Sequence, residues 1–408
     1  MAANHSTSRQ ERPKDVKTLL ERCMEVRRPA MIWGPPGIGK SELIAEIGAK
    51  AGRKVIDMRL LLLEPTDIKG IPYFDVETKT MKWAHPADLP KSIKKKDVEK
   101  AEAAAAKFDE KDVSEEAETA REYALSIRAA YDMSNAILFL DEINAAPPSV
   151  QAAAYQLILN RRVGEYHLPD GVSMLCAGNR DSDKGVTYRM PSPLANRLVH
   201  IEMTSNFEDW QKWAIGAKVH PDVVGFLSHH KQKLFDFDPK SPDKAFATPR
   251  SWTFVSQLIS DSLPESMNTS LVAGTVGEGN ATEFTAHRRV AAKMPKSEDV
   301  LMGKEKTLNV KDLSAMYSLT ISLCYTLQEW SLKAKQNNGK GDGDGFDMKQ
   351  WHECVDHFFK FMMDNFQTEM IVLGAKTALR DYSLPINHRE LKQFKSFHDK
   401  YGKFILED

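Results

Sequence analysis

One stretch constrains this chain more than any other. Residues Ala30 to Trp33 form a short apolar run that reads as a buried strand. It leads into Gly34-Pro35-Pro36-Gly37-Ile38-Gly39-Lys40-Ser41, which fits the pattern G-x-x-x-x-G-K-[ST], and a helical pattern continues from Glu42. Glycines at 34, 37 and 39 let the backbone turn tightly enough for its N–H groups to converge on an anion. The following helix aims the positive end of its dipole at the same point. Lys40 is then expected to reach the β- and γ-phosphates, and the Ser41 hydroxyl to hold Mg²⁺. The stretch predicts a bound nucleoside triphosphate and an α/β fold built on a parallel sheet.

A second feature agrees with the first. Ala136 to Leu140 is continuously apolar, as an inner parallel strand covered on both faces must be, and it ends in Asp141-Glu142. Acids at the carboxyl edge of such a sheet stand where open α/β sheets bind ligands. Asp141 is expected to hold Mg²⁺ through water and Glu142 to orient the attacking water. Val172 to Ala177 is read as a further strand ending at Gly178-Asn179, whose carboxamide can serve a γ-phosphate or its water. Arg197 is an exposed arginine before another apolar strand, Leu198 to Ile201.

Other segments place the elements between these points. Asp15 is read as the cap of a helix running to about Val26, and Val55 to Met58 as a strand. Residues 71–83 alternate around Glu77-Thr78-Lys79 and predict a β-hairpin. Residues 91–135 are rich in Ala, Lys and Glu, with Asp112 and Glu115 as a capping pair, and predict a solvated helical insertion. Pro169-Asp170-Gly171 is read as a turn between strands 163–168 and 172–177. From Asn206 the pattern is helical. Thr248-Pro249-Arg250 opens one helix, the glycines of 273–280 connect two more, and 337–345 reads as a flexible linker.

Composition narrows the class. Fifty-six Lys plus Arg against 57 Asp plus Glu leave a formal net charge of −1 over 408 residues, which gives no general attraction for polyanions. Four scattered cysteines, Cys23, Cys176, Cys324 and Cys354, read as free thiols. His352, Cys354 and His357 share a helical segment, yet no second ligand pair accompanies them. No apolar stretch is long enough to cross a bilayer, so no membrane partner is expected and a cytoplasmic location is.

Together, Gly34–Ser41, Ala136–Glu142, Asn179, Arg197 and Arg250, in this order, resemble the AAA+ ATPases. Glu64-Pro65-Thr66-Asp67-Ile68-Lys69-Gly70 is similar to the P-S-D-[IL]-x-G element of the MoxR group. Asp141-Glu142-Ile143-Asn144 with Pro147-Pro148 is similar to that group's D-E-I-N-R-A-P-P, with Ala145 in place of the arginine. The resemblance implies a P-loop AAA+ core with a helix-2 insert at 71–83 and a pre-sensor hairpin around 163–172. It also implies an all-helical lid and a helical C-terminal extension. It makes Asn179 the sensor-1 residue, Arg197 an arginine finger lent to a neighbour in a hexameric ring, and Arg250 the sensor-2 arginine. ATP or ADP is implied in the cradle of Gly34 to Glu42, between core and lid, with Mg²⁺ at Ser41 and Asp141. A looser likeness in the tail points to the subset associated with von Willebrand factor A-domain partners.

The expected organisation is a flexible 1–14, a nucleotide-binding domain 15–204, a lid 205–303 and an extension 304–408. The expected activity is Mg²⁺-dependent ATP hydrolysis that remodels or activates a partner protein, with Tyr73 and Phe74 as candidates for gripping it. Two alternatives stand beside this: a nucleic-acid motor, which the neutral charge disfavours, and a nucleotide-gated scaffold with little turnover, which Glu142 disfavours.

Overall fold

The computed structural model describes residues 9–109, 112–183, 188, 190–337, 346–386 and 391–406. Its contacts divide the chain into two compact units, 1–204 and 205–408.

The first unit is built on a six-stranded parallel sheet. In chain order the strands of this unit among the described residues are β1 (Gln10–Glu11), β2 (Ala30–Trp33), β3 (Val55–Arg59), β4 (Ile71–Asp75), β5 (Thr80–Ala84), β6 (Ile137–Asp141), β7 (Arg162–Val163), β8 (Tyr166–His167), β9 (Ser173–Gly178) and β10 (Val199–Met203). The sheet runs β1-β10-β2-β9-β6-β3, and β4-β5 and β7-β8 are separate hairpins. Ala30, Met31 and Ile32 of β2 and Ile137 to Leu140 of β6 are buried, because both faces of a parallel sheet are covered. Met31, Leu138, Leu140, Cys176, Val150, Leu157 and Leu198 belong to one core cluster.

Among the described residues the α-helices of this unit are α1 (Pro13–Glu25), α2 (Lys40–Ala51), α3 (Pro65–Lys69), α4 (Lys95–Ala105), α5 (Glu115–Met133), α6 (Pro148–Asn160) and α7 (Ser192–Ala195). Several local expectations are corrected here. Helix α1 starts at Pro13, whose fixed φ suits a first helical turn, so Asp15 sits inside that turn and is not the cap. The stretch expected to be loose up to residue 14 supplies β1, which pairs with β10, and the start of α1. Residues 1–8 lie outside the described residues.

In the insertion, Ser114 caps α5 by accepting from the Ala117 N–H at 3.3 Å. Asp112 instead accepts from the Ser114 N–H at 2.9 Å. The second hairpin turns at Gly164, with φ of 57°, and pairs Arg162 with His167. The Pro169-Asp170-Gly171 turn therefore leads out of that hairpin into β9, which joins the main sheet.

The second unit is helical. Its elements are α8 (Phe207–Gly216), α9 (Pro221–His229), α10 (Pro249–Leu258), α11 (Glu265–Val276), α12 (Glu278–Ala291), α13 (Ser297–Leu301), α14 (Leu313–Asn337), α15 (Met348–Asn365), α16 (Thr368–Lys376), α17 (Lys392–Tyr401) and α18 (Lys403–Leu406). Two caps follow the sequence reading. The Asn206 side chain accepts from the Asp209 N–H at 3.0 Å, and Thr248 and Ser251 make a reciprocal capping box.

The long α14 is apolar on more than one side and serves two cores. Ile321 packs in the cluster of Phe226, Trp252 and Phe284, while Leu319, Leu323 and Leu327 pack with Trp351, Phe358 and Phe359. The expected step at 303 thus falls inside one packed unit. Most of the expected linker, 338–345, lies outside the described residues.

Candidate active site

The strand order determines which residues meet. β2, β9 and β6 are consecutive neighbours, all parallel, so their carboxyl ends lie side by side. Those ends carry Gly34, Asn179 and Asp141, which are far apart in sequence.

The phosphate loop takes the backbone path that its glycines permit. Gly37 and Gly39 have φ of 76° and 95°, values that favour glycine, and Gly39 is the N-cap of α2. Helix α2 begins at Lys40 itself, two residues ahead of the helical pattern in the sequence, so the dipole end reaches the loop directly. Glu42 is exposed in the first turn. Lys40 is only 9% exposed. Its Nζ donates to the Gly34 carbonyl at 2.7 Å, the Pro35 carbonyl at 3.0 Å and the Asn179 Oδ1 at 3.0 Å. An ammonium this buried needs acceptors, and one of them comes from the tip of β9.

On the other side of the loop, the Ser41 hydroxyl donates to Asp141 Oδ2 at 3.2 Å. Two oxygen ligands adjacent on an octahedral Mg²⁺ stand about 3 Å apart, given metal–oxygen bonds of about 2.1 Å. The pair fits that ion chemically, as two oxygen donors side by side, whether Asp141 would hold it directly or through water. No cluster of three or more His, Cys, Asp or Glu occurs among the described residues, and Mg²⁺ normally completes its shell with phosphate and water. Burial raises the neighbouring Asp57 carboxyl above the usual carboxylate range, with the charge of Asp141 adding and Arg59 opposing.

Glu142 has a non-glycine φ of 55°. Such a conformation costs about 1–3 kcal/mol and persists where surroundings enforce it. Here they do. The Glu142 N–H donates to Asp141 Oδ1 at 2.8 Å, the Ala145 N–H to the Glu142 carbonyl at 2.9 Å, and the Ile143 N–H to the Ala177 carbonyl at 3.2 Å.

Asn144, to which the sequence reading gave no role, binds this turn to β9. It is 2% exposed. Its Nδ2 donates to the Asn179 carbonyl at 2.8 Å, while its buried Oδ1 has no hydrogen-bond partner among the described residues. A Cβ on Gly178 would lie 2.3 Å from that Oδ1, so the glycine is what lets the two tips meet. The available signal was a buried-type amide three residues after Asp141, facing a glycine just before Asn179.

Arg197 is not brought to this edge. It lies in the turn between α7 and β10, exposed, with no hydrogen-bond or ion-pair partner for its guanidinium among the described residues. Val199 pairs with Ala30, the first residue of β2, whereas Gly34 follows the last. At about 3.3 Å per strand residue, the four residues from Ala30 to Gly34 separate the two edges by roughly 13 Å. Arg250 belongs to the second unit, exposed in the first turn of α10.

Comparison with known proteins gives the domain its family. Residues 30–203 match the family described as "ATPase family associated with various cellular activities (AAA)". No curated protein matches the chain. Among solved structures, a protein from Cytophaga hutchinsonii named as a candidate ATPase is similar at 12% identity. The match covers 92% of this chain and 86% of that one, with a TM-score of 0.30. The P216G mutant of RuvB from Thermotoga maritima is similar at 12% identity, covering 71% and 75%, with a TM-score of 0.34. No helix among the described residues is long and apolar enough to cross a membrane. With its phosphate loop, acidic strand end and polar strand tip drawn together on one parallel sheet, the segment 30–203 is an AAA ATPase domain, and the chain is an ATPase.

Proposed function

We propose that this chain is a Mg²⁺-dependent, ring-forming ATPase of the MoxR group that remodels a partner protein. The observation that carries the ring is the position of Arg197. It sits on the amino edge of the sheet, about 13 Å from its own phosphate loop along the strands, which is farther than an arginine side chain spans. A guanidinium without a partner among the described residues suits a neighbour's γ-phosphoryl group, where a finger contributes roughly 10³–10⁵ in rate. A finger lent by every copy to the next requires a head-to-tail assembly, which forms a ring where the rotation closes, and the hexamer is the form the resemblance favours.

Within one site each residue has a task. When Mg²⁺ is bound it neutralises charge on the phosphate oxygens, and Ser41 and Asp141 would hold it. Lys40 exchanges a carbonyl or the Asn179 carboxamide for phosphate oxygens. Glu142 orients the attacking water and Asn179 fixes its angle of approach. Arg250 is assigned to sensing the nucleotide. The β4-β5 hairpin leaves Tyr73 and Phe74 47% and 59% exposed, and we assign it to gripping the client. A von Willebrand factor A-domain protein is the partner that the resemblance favours.

The test uses mixed assemblies. Arg197→Ala and Lys40→Ala chains are each inactive alone. Combined, they should regain ATPase activity, because a Lys40→Ala copy still lends its arginine to an intact neighbouring pocket. An inactive mixture would mean that Arg197 serves its own chain, or no chain. Strong stimulation by DNA that collapses with added salt would move the client from protein to nucleic acid.

A further inference from the structure

We propose that His200 is a positioning residue for Arg197. It would hold the finger-bearing turn in its working geometry through the carbonyl of Ala195, with Trp33 fixing its tautomer. The inference rests on the reading of Arg197 as a finger acting on a neighbour.

His200 is the second residue of β10 and half-buried. Its Nδ1 lies 2.8 Å from Trp33 Nε1, and its Nε2 lies 2.8 Å from the Ala195 carbonyl. An indole N–H can only donate, so Nδ1 must accept and carries no proton. The proton is then on Nε2, which donates to Ala195. The two ring planes differ by only 14°, with centroids 6.0 Å apart. One neutral tautomer is thereby selected by its neighbours.

The Ala195 carbonyl is central to the turn that presents Arg197. It accepts from the Leu198 N–H at 3.3 Å, while the Arg197 N–H donates to the Leu194 carbonyl at 2.9 Å. The His200 bond is the shorter of the two reaching Ala195, and it comes from a strand fixed in register against β2. Trp33, the last residue of β2, immediately precedes the phosphate loop. The imidazole thus ties the start of the phosphate loop to the turn carrying a finger for another subunit. Without it the Ala195 carbonyl keeps the longer bond from the Leu198 N–H, and the turn loses a side-chain tie. A displacement of about 1 Å in a group that contacts the transition state costs on the order of 10²-fold in rate.

The full-length assembly provides the test. His200→Ala should lower kcat roughly 10- to 100-fold and leave ATP affinity within about twofold, because the bonds of Lys40 to Gly34, Pro35 and Asn179 and of Ser41 to Asp141 do not involve it. Mixed with Lys40→Ala it should recover activity, since the healthy finger comes from the Lys40→Ala copies. Mixed with Arg197→Ala it should recover none, because both fingers are then defective. His200→Gln, which keeps a donor within reach of Ala195, should retain more kcat than His200→Asn.

Wild-type kcat for His200→Ala, or the reverse order of Gln and Asn, overturns the proposal. So does a failure of His200→Ala to recover with Lys40→Ala while Arg197→Ala does recover, which would place the damage inside the mutant's own pocket. If Arg197→Ala itself is not rescued, the finger reading has failed, and the role of His200 falls with it.

Discussion

Adding one methyl group at Gly178 tests how the tips of β6 and β9 are joined. A Cβ there would lie 2.3 Å from Asn144 Oδ1 and 2.6 Å from Met31 Cε, where an ordinary contact begins at 3.4 Å. The carboxamide must therefore retreat by about 1 Å. Its bond to the Asn179 carbonyl, now 2.8 Å, then stretches past the limit of a hydrogen bond. Overpacking costs about 1–3 kcal/mol and the lost bond about 1, so Gly178→Ala should destabilise the first unit by about 2–4 kcal/mol.

Asn144→Ala removes the same bond but also deletes an unpartnered buried oxygen, and should cost only about 1–2 kcal/mol. In the double variant the added methyl group no longer meets the carboxamide, and the contact left from the closest three is the flexible end of Met31. The two effects should then fall short of their sum by about 1–2 kcal/mol. Urea unfolding of the full chain measures this cycle, read on the transition that ATP shifts, because that transition belongs to the nucleotide-binding unit. Strict additivity would refute the contact. Both single variants should also lose kcat, because Asn179 is no longer held; full activity in either would refute the positioning role of Asn144.

Other perturbations have simpler outcomes. Lys40→Ala should abolish ATP binding by equilibrium titration, and unchanged affinity would contradict the loop assignment. Glu142→Gln should bind ATP normally but hydrolyse it roughly 10²–10⁴-fold more slowly in single turnover; normal turnover would remove its role with water. Burial raises all four thiols, Cys176 to about 12 and Cys354 to about 11, with Cys23 and Cys324 also raised. Native thiols should resist alkylation at pH 8, and rapid reaction of any one would contradict its burial. Their folded values exceed the unfolded value of about 8.5, so above that pH the native chain binds more protons than the unfolded one. Stability should therefore fall as pH rises from about 8.5 through the folded values, and a flat urea midpoint from pH 8 to 10 would refute the sign.

The phosphate loop, the buried strands β2 and β6 and the caps at Asn206 and Thr248 were legible from the residues alone. Each of these is a local matter: glycine torsions, a run of apolar side chains, one hydroxyl or amide meeting an N–H two or three residues on. Where competing local signals were close, details were misplaced. Asp15 looked like a cap until Pro13 took the first turn, and the single strand expected over 163–168 is itself a short hairpin that turns at Gly164. The folded arrangement was needed to show that Lys40 meets Asn179, that Ser41 meets Asp141, and that Asn144 needs a glycine at 178. It alone put Arg197 on the opposite edge of the sheet and His200 between Trp33 and Ala195. Those pairings depend on the order in which parallel strands lie beside one another, and strand order is set by packing across the whole sheet, which no local window of residues contains.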